Sequence, residues 1–319
     1  VNADVNASAA IAGTKISPTF GSQVISGSKL TINSTTPIIE FEESDGNPDY
    51  RIVSEGGELL FQDADAGPAT RLKINTDGHI DIAGNVDFGA GIDVTGAITG
   101  TTDATINSIT VGKGTNSAGN NTVLGENALD AAVTGTNNTA IGALTLTLNT
   151  SGQKNSALGS GALSGNTTGS HNTAIGYESM DQNTDGTNNT AVGSLTLDAN
   201  TSGTHNTALG QSALGANTTG TQNTAVGANA LDANTTAGYN TAVGSNALGS
   251  NTTGHTNTAV GNQSLLSNID GFRNIGLGSD SLRLNTTGTQ NVAVGSFALD
   301  QNTTASNNTA VGHAALTAN

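Results

Sequence analysis

Catalysis or metal binding in this 319-residue sequence would fall to five histidines, 25 Asp and Glu, and many Ser and Thr, because there is no cysteine. The imidazoles are His79, His171, His205, His255 and His313. The last four lie in a part of the chain built from 17-residue units, at offsets 16, 16, 15 and 5 from the Asn that opens each unit. They share no column that could bind a metal, and they read as exposed variable positions. Paired carboxylates can hydrolyse glycans. The only Glu residues among the units, Glu126 and Glu178, are three units apart, or about 14 Å at ~4.8 Å per unit. Inverting glycosidase pairs need about 6.5–9.5 Å. Asp270 and Asp280 read as solvated charges. No position of the unit holds Asp regularly, so the calcium-binding nonapeptide pattern is not expected. No G-x-S-x-G elbow with a partner is present. We therefore assign no catalytic residue, no metal ligand and no cofactor, and expect no enzyme. Four aromatic residues, Tyr177, Tyr239, Phe272 and Phe297, fall outside the repeat consensus. Exposed rings can stack on sugars, which makes these four the candidates for receptor contact; local loop packing is the plainer role.

The element that would position these groups is the repeat itself. Its first Asn recurs at Asn121, Asn138, Asn155, Asn172, Asn189, Asn206, Asn223, Asn240, Asn257, Asn274, Asn291 and Asn308, with no insertion. The consensus is N-T-A-V-G-x-x-A-L-x-x-N-T-T-G-x-x. Offset 4 is Gly in all twelve copies, offset 3 is always Val, Ile or Leu, and offset 8 is Leu except at Met180. Offset 11 is Asn except at Ala132. Seventeen residues are too few for a helical hairpin, which needs about 34 in a tetratricopeptide unit. T-A-V suits a short strand, and Gly directly after it marks a turn. N-T-T-G is a second turn signal. The expectation is an all-β parallel β-roll, or β-solenoid, with two strands and two turns per coil. Coils at ~4.8 Å would extend roughly 55–60 Å over the twelve repeats. All four prolines precede the array, as ladders on both sides of each coil require. The Asn columns at offsets 0 and 11 are expected to form amide ladders along the axis.

Each coil offers little apolar bulk, about 1.5–3 kcal/mol per buried aliphatic side chain against roughly 1–2 kcal/mol of entropy per ordered residue. Association of several chains would compensate. The expected arrangement puts offsets 3 and 8 inside each roll and the small offset 2, Ala in ten copies, on a three-fold axis.

The N-T-A-[VI]-G-x-x-A-L unit resembles the head repeats of trimeric autotransporter adhesins and repeats in the tail fibres of bacteriophages. The resemblance covers Asn121–Asn319. It implies a parallel β-roll associating as a homotrimer, although autotransporter head repeats are usually a little shorter than 17. Upstream, the string N-A-S-A-A-I-A-G-T-K-I-S-P (Asn6–Pro18) resembles linkers of phage tail fibre proteins and favours that family.

The remainder of the first 120 residues divides by composition. Residues 1–30, rich in Ala, Ser and Gly, read as a linker or connecting segment. Residues 31–83 read as a small antiparallel β domain, with strands near Pro37–Glu42, Tyr50–Val53, Glu58–Gln62, Thr70–Ile74 and His79–Ile82. Phe41, Tyr50 and Phe61 are its expected core. Residues 84–120 alternate apolar and polar with frequent Gly and read as a β shaft, leading into the array at 121–319.

A net charge of -16 with nine Lys and Arg leaves no basic stripe for nucleic acid and no attraction to anionic membranes. No apolar run approaches the ~20 residues of a membrane span, so no membrane insertion is expected. The sequence reading is a trimeric phage tail fibre, part of a virion. It mediates or supports attachment to a host surface glycan or protein receptor, with other virion tail or baseplate proteins as partners. A bacterial trimeric surface adhesin is the second reading. An ice-binding solenoid, using Thr columns at offsets 12 and 13, is the third.

Overall fold

The computed structural model describes residues 33–41, 50–63, 69–83, 104–106, 109–113, 119–131 and 134–317. Regular structure among them is all β, and the chain divides into two compact units, residues 1–97 and 98–319. The expected connecting segment at 1–30 and most of the expected shaft at 84–120 lie outside the described residues.

The first unit contains a five-stranded antiparallel meander in sequence order: β1 (Ile38–Phe41), β2 (Tyr50–Glu55), β3 (Glu58–Asp63), β4 (Ala69–Ile74) and β5 (Ile80–Ile82). The turn from β2 to β3 is Gly56-Gly57, with φ of 59° and 87°. Two positive φ values are what a tight hairpin between right-twisted strands demands. Val53 and Leu60, paired across β2 and β3, are buried. The expected core aromatics are not. Phe41 and Tyr50 are each 55% exposed and Phe61 37% exposed. The period-2 alternation of strands explains this: these rings project from the face opposite Val53 and Leu60.

In the second unit, β6 (Ala104–Ile106) and β7 (Ile109–Gly112) form a hairpin, and β7 pairs antiparallel with β8 (Thr122–Gly125). From β8 onward the strands are parallel, through β9 (Thr139–Ile141) to β19 (Thr309–Val311), in one 14-stranded sheet. The register never slips: Thr139 pairs Ser156, Ala140 pairs Ala157 and Ile141 pairs Leu158, and the same 17-residue step continues to the last strand. Each coil has one short strand, where two were expected. Gly at offset 4 takes φ between 127° and 158°, and residues at offsets 6 and 8 are left-handed, as at Asn229 (φ 55°) and Leu231 (φ 54°). A left-handed non-glycine residue costs about 1–2 kcal/mol and breaks strand geometry. Coil-to-coil hydrogen bonds nevertheless continue through the turns, as from Leu231 N to Ala247 O at 3.0 Å. At offset 4 a side chain is excluded twice over. Besides its φ, a Cβ on Gly227 would lie 2.6 Å from the carbonyl oxygen of Gly244.

The interior reverses the expected orientation of the strand. Offset 2 points inward: Ala208, Ala225 and Ala242 are fully buried within a single chain. Offset 8 points inward as expected, with Leu214, Leu231 and Leu248 fully buried. Offset 3 points outward, as described below. In a three-residue strand the middle side chain faces one way and its neighbours the other. The middle position holds Ala in ten coils, with Val123 and Gly276 as the exceptions, and it packs with the buried Leu column.

The two Asn columns are buried and differ in chemistry. At offset 11 amide bonds to amide: Asn200 Nδ2 donates to Asn183 Oδ1 at 2.8 Å, and Asn217 Nδ2 donates to Asn200 Oδ1 at 2.9 Å. At offset 0 the side chain accepts from the backbone: Asn206 N donates to Asn189 Oδ1 at 2.9 Å. Both amides of a coil then converge on one carbonyl at offset 14. Gly220 O accepts from Asn206 Nδ2 at 2.8 Å and from Asn217 Nδ2 at 3.2 Å. No buried side-chain nitrogen or oxygen among the described residues lacks a partner. A Cβ at Gly203, the equivalent position one coil earlier, would lie 2.4 Å from Asn200 Oδ1. Where Ala237 takes that place, the nearby Thr235 N to Thr252 O bond lengthens to 3.4 Å, against 2.8 Å for Thr218 N to Thr235 O.

Interior exceptions compensate one another. Gly276 replaces the offset-2 Ala where Ser264 and Ser281 meet through a 2.8 Å hydroxyl contact. A Cβ there would be 2.5 Å from Ser264 Oγ. Gly276→Ala is expected to cost about 1–3 kcal/mol by overpacking, and adding Ser264→Ala should recover most of it in a denaturant titration. Asn200→Asp replaces a donating amide by a carboxylate facing Asn183 Oδ1 and Gly203 O. A large loss of thermal stability near neutral pH, partly regained in acid where the carboxyl carries a proton, is the expected outcome.

Candidate functional site

The outward side of the array sheet carries two columns. Offset 3 supplies aliphatic side chains: Leu158 is 46% exposed, Leu209 47% and Val311 71%, with Val226 and Val243 half-buried. Offset 1 supplies Thr, as at Thr190, Thr207 and Thr224, side by side in register. Over twelve coils the aliphatic column runs about 50 Å at ~4.8 Å per step. Such a strip reaches the several hundred Å² at which an exposed apolar patch marks an interaction surface. The sequence does contain this signal, because T-A-V alternates. Hydrophobicity alone would put Val inside and Ala outside, and the structure has the reverse.

The Thr column at offset 12, which the ice-binding reading uses, behaves differently. Offset-12 hydroxyls are engaged along the fibre: Thr167 Oγ1 donates to Thr184 O at 2.9 Å, and Thr184 Oγ1 to Thr201 O at 3.1 Å. They stitch neighbouring coils together.

The four receptor-contact candidates are spread over different coils. Tyr177 is 54% exposed, Tyr239 61% and Phe297 42%. The Tyr177 hydroxyl bonds the adjacent Glu178 carboxylate, which raises its pKa. Phe272 is half-buried and stacks on His255 from the preceding coil, with centroids 5.0 Å apart and planes 11° from parallel. The Arg273 guanidinium lies 5.8 Å from the Phe272 centroid. Phe297 meets His313 edge-on at 6.0 Å. The structure thus packs Phe272 and Phe297 against neighbouring side chains and brings none of the four candidates together.

The array also carries an acidic column that the consensus does not show. Offset 9 holds Asp130, Asp181, Asp198, Asp232 and Asp300, five of twelve coils. A Cβ on Gly215, between Asp198 and Asp232, would lie 2.8 Å from Asp232 Oδ1 and 3.5 Å from Asp198 Oδ1. Burial raises the pKa of both carboxyls, and neighbouring carboxylates add to this at Asp198. Asp300 is instead paired with Arg283, Nε to Oδ1 2.9 Å. Among the described residues no group of three or more His, Asp or Glu is arranged to hold a metal, and no helix is long and apolar enough to cross a membrane.

Comparison with protein-family models, curated proteins and solved structures finds no match.

Because the folded pKa values of Asp198 and Asp232 lie above 3.8, their ionised forms weaken the fold. That penalty is present above the folded pKa and disappears as pH falls through it. On acidification from neutral towards pH ~4, the native chain should gain stability relative to the Asp198→Asn/Asp232→Asn variant. Parallel melting curves across that range check this.

Proposed function

We propose that this chain is a structural fibre protein, a homotrimeric phage tail fibre that mediates or supports attachment to the host cell surface. The observation that carries the reading is the continuous outward aliphatic column on a rigid, in-register array. Chains packed by these columns form a stiffer rod and remove the column from water, which a single roll cannot do. The rod's role is mechanical. It holds a receptor-binding region away from the virion, and three copies supply avidity. The partners are other tail or baseplate proteins at one end and a host glycan or protein receptor at the other. The chain performs no catalysis in this reading. The resemblance of residues 6–18 to phage fibre linkers supports a virion location in this reading; a bacterial trimeric surface adhesin would use the same rod.

A second reading rests on a different observation. The offset-1 Thr hydroxyls form an outward column beside the aliphatic one, so a monomer would present a flat, regular hydroxyl-and-methyl surface suited to ice.

Val226→Arg with Val243→Arg tests the fibre reading. Sedimentation should fall from that of three chains to that of one while the β signal in circular dichroism persists. An unchanged assembly would refute the proposed face. Thermal hysteresis in the unmodified protein, from single chains, would favour the ice-binding reading.

A further inference from the structure

The five-stranded sheet of the first unit has two unlike faces. Direct pairing aligns Ile39, Ile52, Phe61, Leu72 and Ile82 in one row across all five strands. Phe41 and Tyr50 lie on the same face on one side of that row, and Leu59, Ile74 and Ile80 on the other. The opposite face carries its own polar pairing: Lys73 meets Glu58 at 2.8 Å, and Arg51 Nε donates to Gln62 Oε1 at 3.0 Å. Val53 and Leu60 are buried on that side.

The apolar face is open. Ile80 is 60% exposed, Tyr50 and Phe41 55%, and Ile82 47%. With Ile39, Leu59 and Phe61 it leaves on the order of 600 Å² of apolar surface, at about 150–250 Å² per large side chain. That is most of the roughly 800 Å² each partner gives to a stable interface. A shallow concavity of about 300 Å³ is lined by Phe41, Tyr50, Ile52 and Phe61, with Arg51, Gln62 and Arg71 at its margin. A sheet is stable when its apolar face meets a second layer.

We propose that this second layer is the same sheet from other copies of the chain, packed apolar face to apolar face. The character of the face selects that occupant. Within it the charges are confined to one edge, where Asp63 is paired with Arg71 at 3.0 Å. A permanently covered homo-oligomer interface resembles a domain core cut open, whereas a surface for an exchangeable partner is more polar. The proposal rests on the fibre reading and places a second contact between the same copies, independent of the array.

The absence of cysteine from these 319 residues allows a clean test in the whole of this chain. Phe61→Cys, on the central strand, is treated with a homobifunctional maleimide, alongside Glu40→Cys on the polar face. Native mass is measured on both. Rapid interchain cross-linking at position 61 and little at position 40 is the expected result. A multimeric native mass with no cross-link at position 61 would overturn the sheet contact and leave the fibre reading standing. The same holds if the thiol is shielded by another part of its own chain or by a different protein. A monomeric native mass would overturn both.

Discussion

One carbonyl oxygen per coil organises the solenoid. At offset 14 it receives two amide hydrogens from buried Asn side chains at offsets 0 and 11, while the Asn oxygens bind the neighbouring coils. An unsatisfied buried polar group costs about 1–3 kcal/mol, so a single coil of a different length within this array would leave several groups unpaired. The unbroken 17-residue step follows from this. So does glycine at offset 14 in nine of the eleven coils that reach it, since a Cβ there meets the Asn amides.

The same constraint sets what faces outward. With two amide columns and a Leu column inside, the strand directs a small side chain inward: Ala at offset 2 in ten coils, Gly276 in one, and the larger Val123 in the first coil, where Ala132 replaces the offset-11 Asn. The β-branched and aliphatic residues on either side must point out. The roll therefore encloses a Leu column, a column of small residues and two amide columns, and carries a further apolar strip along its outer side. In the proposed fibre, apolar surface buried between chains would supply the stabilisation that the thin interior lacks, at roughly 25 cal/mol per Å².

Much of this was legible in the sequence. The period, the Gly at offset 4, the buried Leu at offset 8 and the five strands of the first unit all follow from spacing and turn chemistry. The side assigned to T-A-V did not. Hydrophobicity alone ranks Val above Ala as core, and only the volume taken by the Asn ladders decides otherwise. Left-handed backbone at Leu positions is likewise invisible to propensity, because Leu rarely adopts it. Size alone marks Phe41, Tyr50 and Phe61 as core, whereas the strand pairing puts them on the open face. The Asp column at offset 9 was present in the alignment of the repeats but is interrupted by Thr147, Ser164, Gly215, Gly249, Leu266 and Arg283.

The central claim is that the outward aliphatic column is covered by other copies of the chain. Light scattering on the unmodified protein measures this most directly, beside the mass of the denatured chain. Three copies of the 31.5 kDa chain are predicted. A single copy, stable and soluble with the column open to water, would contradict it.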